Sequence, residues 1–264
     1  MVIMENINKT AIVTGAGTGI GKVIAYELAK AGYDVAVHCN GSTEGANEVA
    51  EQIRNDFGRK AVVIKSNLAQ LSGVNALFEE FEKHFDRLDL FVNNAGVTKK
   101  SKFLETEEEL FDLIVNVDYK GAYFCMQRAA KIMKEKGIEG SIILISSNNA
   151  IAHFADVSVY GSVKAAIQKA AEHMAIELAQ YKIRVNTVAP GWTETGASRL
   201  DDKESTYYKV PLKRWAQCDE IAAAILYLSG DMAKSITGTT LVIDGGALLV
   251  SDKGERYGYY NPQN

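Results

Sequence analysis

Apolar and polar residues follow two repeating patterns along most of the chain. Short apolar runs predict buried strands, and each run is followed by apolar positions three or four residues apart, which predict a helix. The strands are expected at Lys9–Thr14, Asp34–His38, Ala61–Lys65, Leu88–Val92, Ser141–Ile145, Arg184–Val188 and Thr239–Ile243. Strands that alternate with helices at these spacings are typical of right-handed β-α-β units and of a parallel sheet.

Glycines and polar residues mark where several of the helices begin and end. Gly32 and Gly58 follow the apolar positions of the first two helices and are expected to end them. Thr106 and Glu109 have the spacing of a capping box, which predicts a long helical region from about Glu109 to Lys136. The last two helices are expected around Tyr160–Leu178 and at residues 219–229.

These elements define a fold class. The sequence predicts an α/β protein with a single Rossmann-type, doubly wound parallel sheet and helices on both faces. Its 264 residues are 47% hydrophobic, which is enough for one substantial core. Because no linker, repeat or change in composition divides the chain, residues 1–250 are expected to form one domain. Residues 251–264 form a tail that is rich in tyrosine, for which packing at a subunit interface and a frayed terminus are the two alternatives.

Composition narrows the choice of partners and compartment. The formal net charge is −4 and there is no basic tract, so neither nucleic acid nor an anionic membrane is an expected partner. No apolar run approaches the ~18 residues that a membrane-spanning helix needs. Cys39, Cys125 and Cys218 are far apart, which favours neither disulfides nor a metal site. A cytoplasmic protein that binds a small molecule is therefore expected.

A glycine-rich segment, TGAGTGIG at Thr14–Gly21, follows the first predicted strand and opens the first helix. Gly15 permits a sharp turn, Gly19 lets the backbone approach a pyrophosphate, and Gly21 allows close packing of the helix. The N-terminus of the helix favours the phosphate charge. An ordinary glycine-rich turn is the alternative, but the strand and helix on either side favour a dinucleotide-binding site.

Tyr160 and Lys164 lie four residues apart, so in a helix they share one face about 6 Å apart along the axis. A nearby ammonium group favours the phenolate, which lets the tyrosine exchange a proton near neutral pH. Interconversion of alcohols and carbonyl compounds requires such an exchange. The pair alone is a weak signal, because two common residues meet at this spacing in many helices.

Several motifs stand in a fixed order around this pair. The glycine-rich segment is followed by NNAG at 93–96, Ser147 thirteen residues before Tyr160, YGSVK at 160–164, and Pro190–Gly191 followed by two threonines. Together they resemble the classical short-chain dehydrogenase/reductase family from about residue 9 to residue 246. The resemblance implies an NAD(P)-dependent oxidoreductase that transfers a hydride between a nicotinamide cofactor and a secondary alcohol or ketone.

The resemblance also implies roles for individual residues. Tyr160 is similar to the general acid/base of the family, Lys164 to the residue that favours its phenolate form and binds the nicotinamide ribose, and Ser147 to the donor that holds the substrate oxygen. Ser146 is the alternative serine, but the spacing favours Ser147, because successive residues leaving a strand point to opposite sides. The positions that resemble cofactor-binding positions are Gly15, Thr18, Gly19, Ile20, Gly21, Asn40, Ser42, Asn67, Leu68, Asn94, Ala95, Gly96, Tyr160, Lys164, Pro190, Gly191, Thr193 and Thr195.

One position departs from the family, which usually has an asparagine two residues before a Lys-Gly pair in the long central helix. Aligning Lys120 and Gly121 with that pair places Asp118 at this position. In the family, the main-chain carbonyl of this residue holds a water that links the lysine to solvent, and an aspartate can keep that function. We therefore expect Asp118 to take part in proton relay. Asn116 is the alternative, although two residues along a helix place it on another face.

The end of the second strand bears on the cofactor. Relatives that use NAD tend to carry an acidic residue there, whereas residues 37–40 include no carboxylate. Asn40 and Ser42 can hydrogen-bond a 2′-phosphate without repelling it, which favours NADP(H). NAD(H) remains the alternative, because no arginine or lysine is present to bind the phosphate.

The substrate is less well defined by the sequence. His153 and Phe154 are candidates to line the pocket, and the irregular, aromatic segment 192–215 corresponds to the part of the family that covers the substrate. A sugar or polyol dehydrogenase similar to glucose 1-dehydrogenase is one alternative activity. A 3-oxoacyl-[acyl-carrier-protein] reductase is another, although Ile138 and Tyr181 occupy positions where such enzymes usually show arginines.

The resemblance also bears on the oligomeric state, and the motifs bear on whether the protein is an enzyme. Relatives commonly assemble through the long helices, so a homo-oligomer, either a tetramer or a dimer, is expected. From a different class, a dinucleotide-binding sensor or scaffold without turnover would share the glycine-rich segment. The serine, tyrosine and lysine together argue for the enzyme.

Overall fold

The computed structural model describes residues 8–196 and 209–250. Seven parallel strands form one sheet, and they are β1 (Thr10–Val13), β2 (Asp34–Cys39), β3 (Ala61–Lys65), β4 (Leu90–Asn93), β5 (Ser141–Ile145), β6 (Arg184–Pro190) and β9 (Thr240–Ile243). Their order across the sheet is β3-β2-β1-β4-β5-β6-β9. Two short strands, β7 (Thr193–Glu194) and β8 (Ala216–Gln217), pair with each other. The expected parallel sheet is confirmed.

Seven α-helices within the described ranges cover this sheet. They are α1 (Gly19–Lys30), α2 (Thr43–Phe57), α3 (Leu71–His84), α4 (Glu108–Ile114), α5 (Ala122–Glu135), α6 (Ser158–Leu178) and α7 (Cys218–Ser229). Short 3-10 turns lie at Phe103–Glu105, Asn148–Ala150, Ala179–Tyr181, Asp231–Ala233 and Ala247–Leu249. None of the helices in the ranges described is long and apolar enough to cross a membrane.

Helices cover both faces of the sheet, and successive side chains of a strand point to opposite faces. In β1, Ala11 and Val13 pack into a core that also contains residues of α1, α2 and α7. Ile12, between them, packs into a second core with residues of α3, α5 and α6. This arrangement explains why strands such as β4 and β5 are apolar on both faces rather than alternating between apolar and polar residues.

The chain begins in the middle of the sheet, builds outward through β2 to β3, and then returns to add β4 on the other side of β1. The loops that leave β1 and β4 therefore diverge at the carboxyl end of the sheet. In open α/β sheets this divergence forms the crevice in which ligands bind. The fold thus places a candidate site at the ends of β1, β4, β5 and β6.

The predicted capping box at Thr106 and Glu109 is wrong. The N-cap of α4 is Glu107, and no side chain in the described residues caps it. The Thr106 hydroxyl instead donates to the carbonyl of Lys102 at 3.0 Å. A local turn has taken the hydroxyl that the capping box required.

The long helix expected from Glu109 to Lys136 is interrupted. A π-helical segment at Val115–Gly121 separates α4 from α5, and α5 ends one residue earlier than expected. Gly121 passes so close to the Leu68 carbonyl oxygen that a Cβ would overlap it. The wider π turn shifts the direction in which its side chains point, which matters for Asp118.

The tail at residues 251–264, Tyr207 and Tyr208 lie outside the described residues. Trp215, from the segment expected to be irregular and aromatic, is buried, and it contributes to the cleft described below.

Candidate active site

A cleft of about 640 Å³ opens at the carboxyl end of the sheet. Ser147, Tyr160 and Lys164 all line it, together with residues from the loops that follow β4 and β6. A groove of about 730 Å³ lies between α4 and α6, but it contains none of the residues predicted to carry chemistry. We therefore take the smaller cleft as the candidate active site.

The glycine-rich loop between β1 and α1 has the backbone geometry that its sequence predicts. Gly15 and Gly19 have φ angles of +66° and +55°, which favour glycine. A Cβ on Gly21 would overlap the carbonyl oxygen of Gly15, so close packing of α1 on its own loop requires glycine here. Gly17, which the sequence analysis left without a role, packs in the same way against Ser42 at the start of α2.

The first turn of α1 is open to a ligand. Thr18 is its N-cap, and within the described residues no side chain caps the helix and no acidic residue lies in the first turn. The first N–H groups of a helix have no intrahelical partner and carry partial positive charge. The residues present therefore fit the pyrophosphate of a dinucleotide, and Ile20 extends this surface into the cleft.

Asn94 joins β4 to this loop. Its Nδ2 donates to the carbonyl oxygens of Thr14 and Gly15 at 2.8 and 3.2 Å, and its backbone N–H donates to the Thr14 hydroxyl. Ala95 donates to the same hydroxyl, and Gly96 lines the cleft. Asn94 and Ala95 therefore hold the two diverging loops together.

The other expected cofactor positions are spread along the edge of the sheet. Asn40 is exposed and Ser42 is half-buried, next to Gly17. Asn67 accepts a hydrogen bond from the Ala69 N–H at 3.1 Å. The Leu68 side chain packs into the core formed with α3 and α5, so the core, and not a ligand, covers most of it.

The loop after β6 closes the cleft opposite the glycine-rich loop. Pro190 is the last residue of β6, and the N–H of Gly191 donates to the Ile243 carbonyl at 2.9 Å. Thr193 donates to the carbonyl of Gly191, and Thr195 lies against Gly19 across the cleft. The loop after β6 thus meets the N-terminus of α1, where a nicotinamide and a pyrophosphate would both be held.

His38 is a site residue that the sequence analysis missed. It lies in β2, almost fully buried, and its Nδ1 accepts a hydrogen bond from the Gly15 N–H at 3.2 Å. Nε2 lies 3.1 Å from the carbonyl oxygen of Ser66, so Nε2 carries the proton. Burial lowers the pKa of His38 from 6.5 to about 4. A neutral histidine therefore connects the glycine-rich loop to the end of β3.

This histidine makes stability depend on pH. The unfolded chain takes up a proton below about pH 6.5, but folded His38 does so only near pH 4, so stability falls as the pH falls through this window. Between pH 7 and pH 5 the wild type should lose about 2 kcal/mol more than His38→Asn. Urea unfolding at both pH values measures this difference. His84→Asn, at a surface position of α3, should behave like the wild type, and an equal loss in all three proteins would contradict the assignment.

Ser147 and Ser146 point in different directions, as expected for successive residues after a strand. The Ser147 oxygen accepts hydrogen bonds from the backbone N–H and the Nδ2 of Asn149, at 3.2 and 3.1 Å. The Ser146 hydroxyl donates to the Lys164 carbonyl at 3.3 Å, toward α6. With its oxygen occupied by two donors, Ser147 has its own O–H free to donate to a ligand in the cleft.

Tyr160 and Lys164 lie on one face of α6, as their spacing predicts, and both are buried. The ammonium nitrogen is 5.6 Å from the centre of the Tyr160 ring. It donates to the Ile145 carbonyl at 3.2 Å and lies 3.4 Å from a carboxylate oxygen of Asp118. Asn116 is half-buried, and in the part of the chain described here its side chain makes no hydrogen bond to the lysine.

Burial and charge act in opposite directions on this ion pair. Burial raises the pKa of Asp118, against the opposing effects of Lys164 and of the Val97 N–H. Burial alone would lower the pKa of Lys164, but Asp118 and Tyr160 together raise it above its ordinary value. Lys164 is thus kept as an ammonium group inside the protein.

Aromatic and polar side chains form the rest of the cleft. Phe154 and Trp192 meet edge to face, with ring centres 5.6 Å apart, and Phe154 lines the cleft as expected. His153 is exposed and is not among the lining residues. Asn148 is buried, and its Nδ2 has no hydrogen-bond partner among the described residues. Within those residues no group of three or more His, Cys, Asp or Glu side chains is placed to hold a metal ion.

The fold and the cleft define a class of protein, an oxidoreductase that uses a dinucleotide. A family model described as enoyl-(acyl carrier protein) reductase matches residues 15–247. The chain is 38% identical to L-rhamnose 1-dehydrogenase (NAD(P)(+)) of Azotobacter vinelandii, over 92% of this chain and 98% of that protein.

Two solved structures show the same similarity. The acetoin dehydrogenase YohF of Salmonella typhimurium is 34% identical, with a TM-score of 0.88 over 94% of this chain and 99% of that one. The angucycline C-6 ketoreductase LanV with bound NADP is 35% identical, with a TM-score of 0.85 over 91% of this chain and 96% of that one. This chain belongs to the short-chain dehydrogenase/reductase family and is an NAD(P)-dependent oxidoreductase that acts on alcohol and keto groups.

Proposed function

We propose that Tyr160, Ser147 and Lys164 carry out the proton chemistry of a reaction that interconverts a secondary alcohol and a ketone. One observation carries this proposal. Ser147 lies after β5, whereas Tyr160 and Lys164 lie on α6, yet all three side chains line one cleft beside the open end of α1. NAD(P), when bound, supplies or accepts the hydride. The glycine-rich loop, Asn94 and the loop after β6 would hold it.

Each of the three residues has a distinct task in this proposal. The free O–H of Ser147 donates to the substrate oxygen and orients it. The Tyr160 hydroxyl gives its proton to that oxygen during reduction and, as phenolate, accepts it during oxidation. Lys164 donates one hydrogen bond to the Ile145 carbonyl and forms an ion pair with Asp118, so a further N–H of its ammonium group is left for the ribose of the cofactor.

We propose that NADP(H) is the preferred cofactor. The end of β2 has no carboxylate, and Asn40 is exposed beside Ser42 at the start of α2. LanV holds NADP, and the rhamnose dehydrogenase is described as using NAD(P). A 2′-phosphate at this position meets amide and hydroxyl groups, which do not repel it.

Titration of the purified protein with each reduced cofactor, followed by nicotinamide fluorescence, tests this preference. NADPH should bind about tenfold more tightly than NADH, a difference of about 1.4 kcal/mol. Asn40→Asp should reverse the preference, because its carboxylate repels the phosphate and can bind the ribose hydroxyls instead. Asn55→Asp, with the same charge change on the exposed surface of α2, is the control. Tighter NADH binding by the wild type would contradict the proposal.

A sugar or polyol is the second candidate for the substrate. The Phe154 and Trp192 rings provide an apolar wall, and Asn148 and Asn149 place amides beside Ser147. Aromatic rings next to hydrogen-bonding side chains suit a small hydroxylated substrate. The similarity to the rhamnose dehydrogenase supports this reading, and oxidation assays with sugars and simple secondary alcohols distinguish the two substrate classes.

The structure gives less support to a substrate bound to an acyl carrier. Lys182, one of the basic residues near Tyr181, pairs with Glu139, and Lys134 lies over the Tyr181 ring. Each ammonium group thus has a partner within the protein, and the Lys182–Glu139 pair is largely exposed to solvent.

We also propose that the protein is a cytoplasmic homo-oligomer. The groove between α4 and α6 is lined by Phe103 and Phe111, which are 80% and 49% exposed in the single chain. A second copy of the chain would cover this apolar surface, and a monomeric mass in light scattering would exclude it. Cys39, Cys125 and Cys218 are buried and unpaired, which suits a reducing compartment.

A further inference from the structure

The carboxylate of Asp118 has two contacts beside the candidate active site. One carboxylate oxygen accepts a hydrogen bond from the Val97 N–H at 2.7 Å. The other lies 3.4 Å from the ammonium nitrogen of Lys164 and, among the described residues, has no hydrogen-bond partner. The side chains of Asp118 and Lys164 are 0% and 5% exposed, so water does not screen this pair.

The π-helical segment places the Asp118 side chain next to Lys164. Asp118 lies in the middle of Val115–Gly121, and Gly121 packs closely against the Leu68 carbonyl. Gly96 lets the pair form, because a Cβ at Gly96 would stand 3.0 Å from the Asp118 oxygen and 3.3 Å from the lysine nitrogen. The loop after β4, the π-helical segment and α6 thus meet at one ion pair next to Tyr160.

We propose that Asp118 is a positioning residue that acts through Lys164 and sets the pH range in which Tyr160 exchanges its proton. The inference rests on the proposed function, because it assigns a role relative to Tyr160. It differs from a relay through the main-chain carbonyl, since here the side-chain charge is the active feature.

Asp118 acts on Tyr160 electrostatically, through Lys164. An ammonium group beside Tyr160 favours the phenolate, and a carboxylate 3.4 Å from that ammonium offsets part of this effect. The same carboxylate keeps the buried lysine protonated. The other charged side chains that line the cleft are Lys100 and Asp156, from the loops after β4 and before α6, and Lys209. Removing the Asp118 charge should therefore lower the pH at which Tyr160 becomes phenolate. It should also let the Lys164 ammonium group lose its proton more easily.

The experiment measures the pH profile of alcohol oxidation by Asp118→Asn. Asparagine keeps the shape and an acceptor for Val97 but removes the charge. The acid side of the profile should move to lower pH by about one unit. The alkaline side should also fall earlier, because the buried lysine loses its proton more readily. Asp112→Asn, at an exposed position of α4, should leave the profile unchanged.

Two outcomes would overturn the inference. The profile of Asp118→Asn could coincide with that of the wild type, as a relay through the main chain requires, or it could move to higher pH. In both cases turnover persists, so the proposed function would stand. Thermal unfolding and the NADPH titration confirm that the variant is folded. If it is not, Asp118→Ser, which is smaller and keeps an acceptor, should show the same shift to lower pH, and an unshifted profile in that variant overturns the inference.

Discussion

Replacing Tyr160 by phenylalanine is expected to lower turnover by about 10²–10⁴-fold, the usual contribution of a general acid/base, while cofactor binding is retained. The ring remains, so the packing of α6 and the cleft is preserved, but no hydroxyl is left to exchange a proton with the substrate oxygen. Steady-state kinetics with any substrate found for the wild type gives the loss in kcat. A fluorescence titration with NADPH gives the affinity that should remain.

A matched change shows whether this loss is specific. Tyr227 lies on α7 and is half-exposed, away from the cleft, so Tyr227→Phe should turn over like the wild type. Turnover by Tyr160→Phe within a few fold of the wild type would remove Tyr160 from its proposed role. Normal activity in both variants would also reopen the question of which side chain in the cleft exchanges the proton.

The strands were the most predictable part of the fold. Ala61–Lys65 and Ser141–Ile145 begin and end at the expected residues, and the others differ by at most two residues at either end. Both faces of the sheet are covered at its centre, so β1, β4 and β5 are short and almost entirely apolar. Because these strands are buried, their apolar residues reveal them directly in the sequence.

The interrupted helix shows what the sequence could not reveal. Apolar spacing is nearly the same for an α-helix and for an α-helix with one π turn. The position of the turn depends on contacts with distant residues, such as that of Gly121 with Leu68. The capping box at Thr106 failed for a related reason, because a nearby carbonyl competed for the same hydroxyl.

In the candidate site, too, some residues could be predicted from the sequence and others could not. Ordered motifs pointed to Ser147, Tyr160 and Lys164, and the structure brings all three into one cleft. His38 was overlooked because it stands within an apolar strand, and its hydrogen bond to Gly15 exists only because β2 lies beside β1. The direct contact between Asp118 and Lys164 depends on the π turn, so the motif could place Asp118 near the site without showing how it acts.

Replacing Lys164 by methionine is expected to have two large effects. It leaves the Asp118 carboxylate buried without its partner, which should lower the free energy of unfolding by about 3–5 kcal/mol. It also removes the positive charge beside Tyr160 and the donor proposed for the ribose, so both turnover and cofactor affinity should fall. Urea unfolding, kinetics and the NADPH titration measure the three quantities separately.

Lys169→Met provides the control on the same helix. Its side chain is 68% exposed and pairs with Glu172 on the surface, where an ion pair contributes little to stability. Combining Lys164→Met with Asp118→Asn should recover part of the lost stability, because the second change removes the unpaired charge. If the double variant is as unstable as the sum of the single changes, the two side chains do not act as a pair. The fall in turnover would then have to be explained by the loss of the lysine alone.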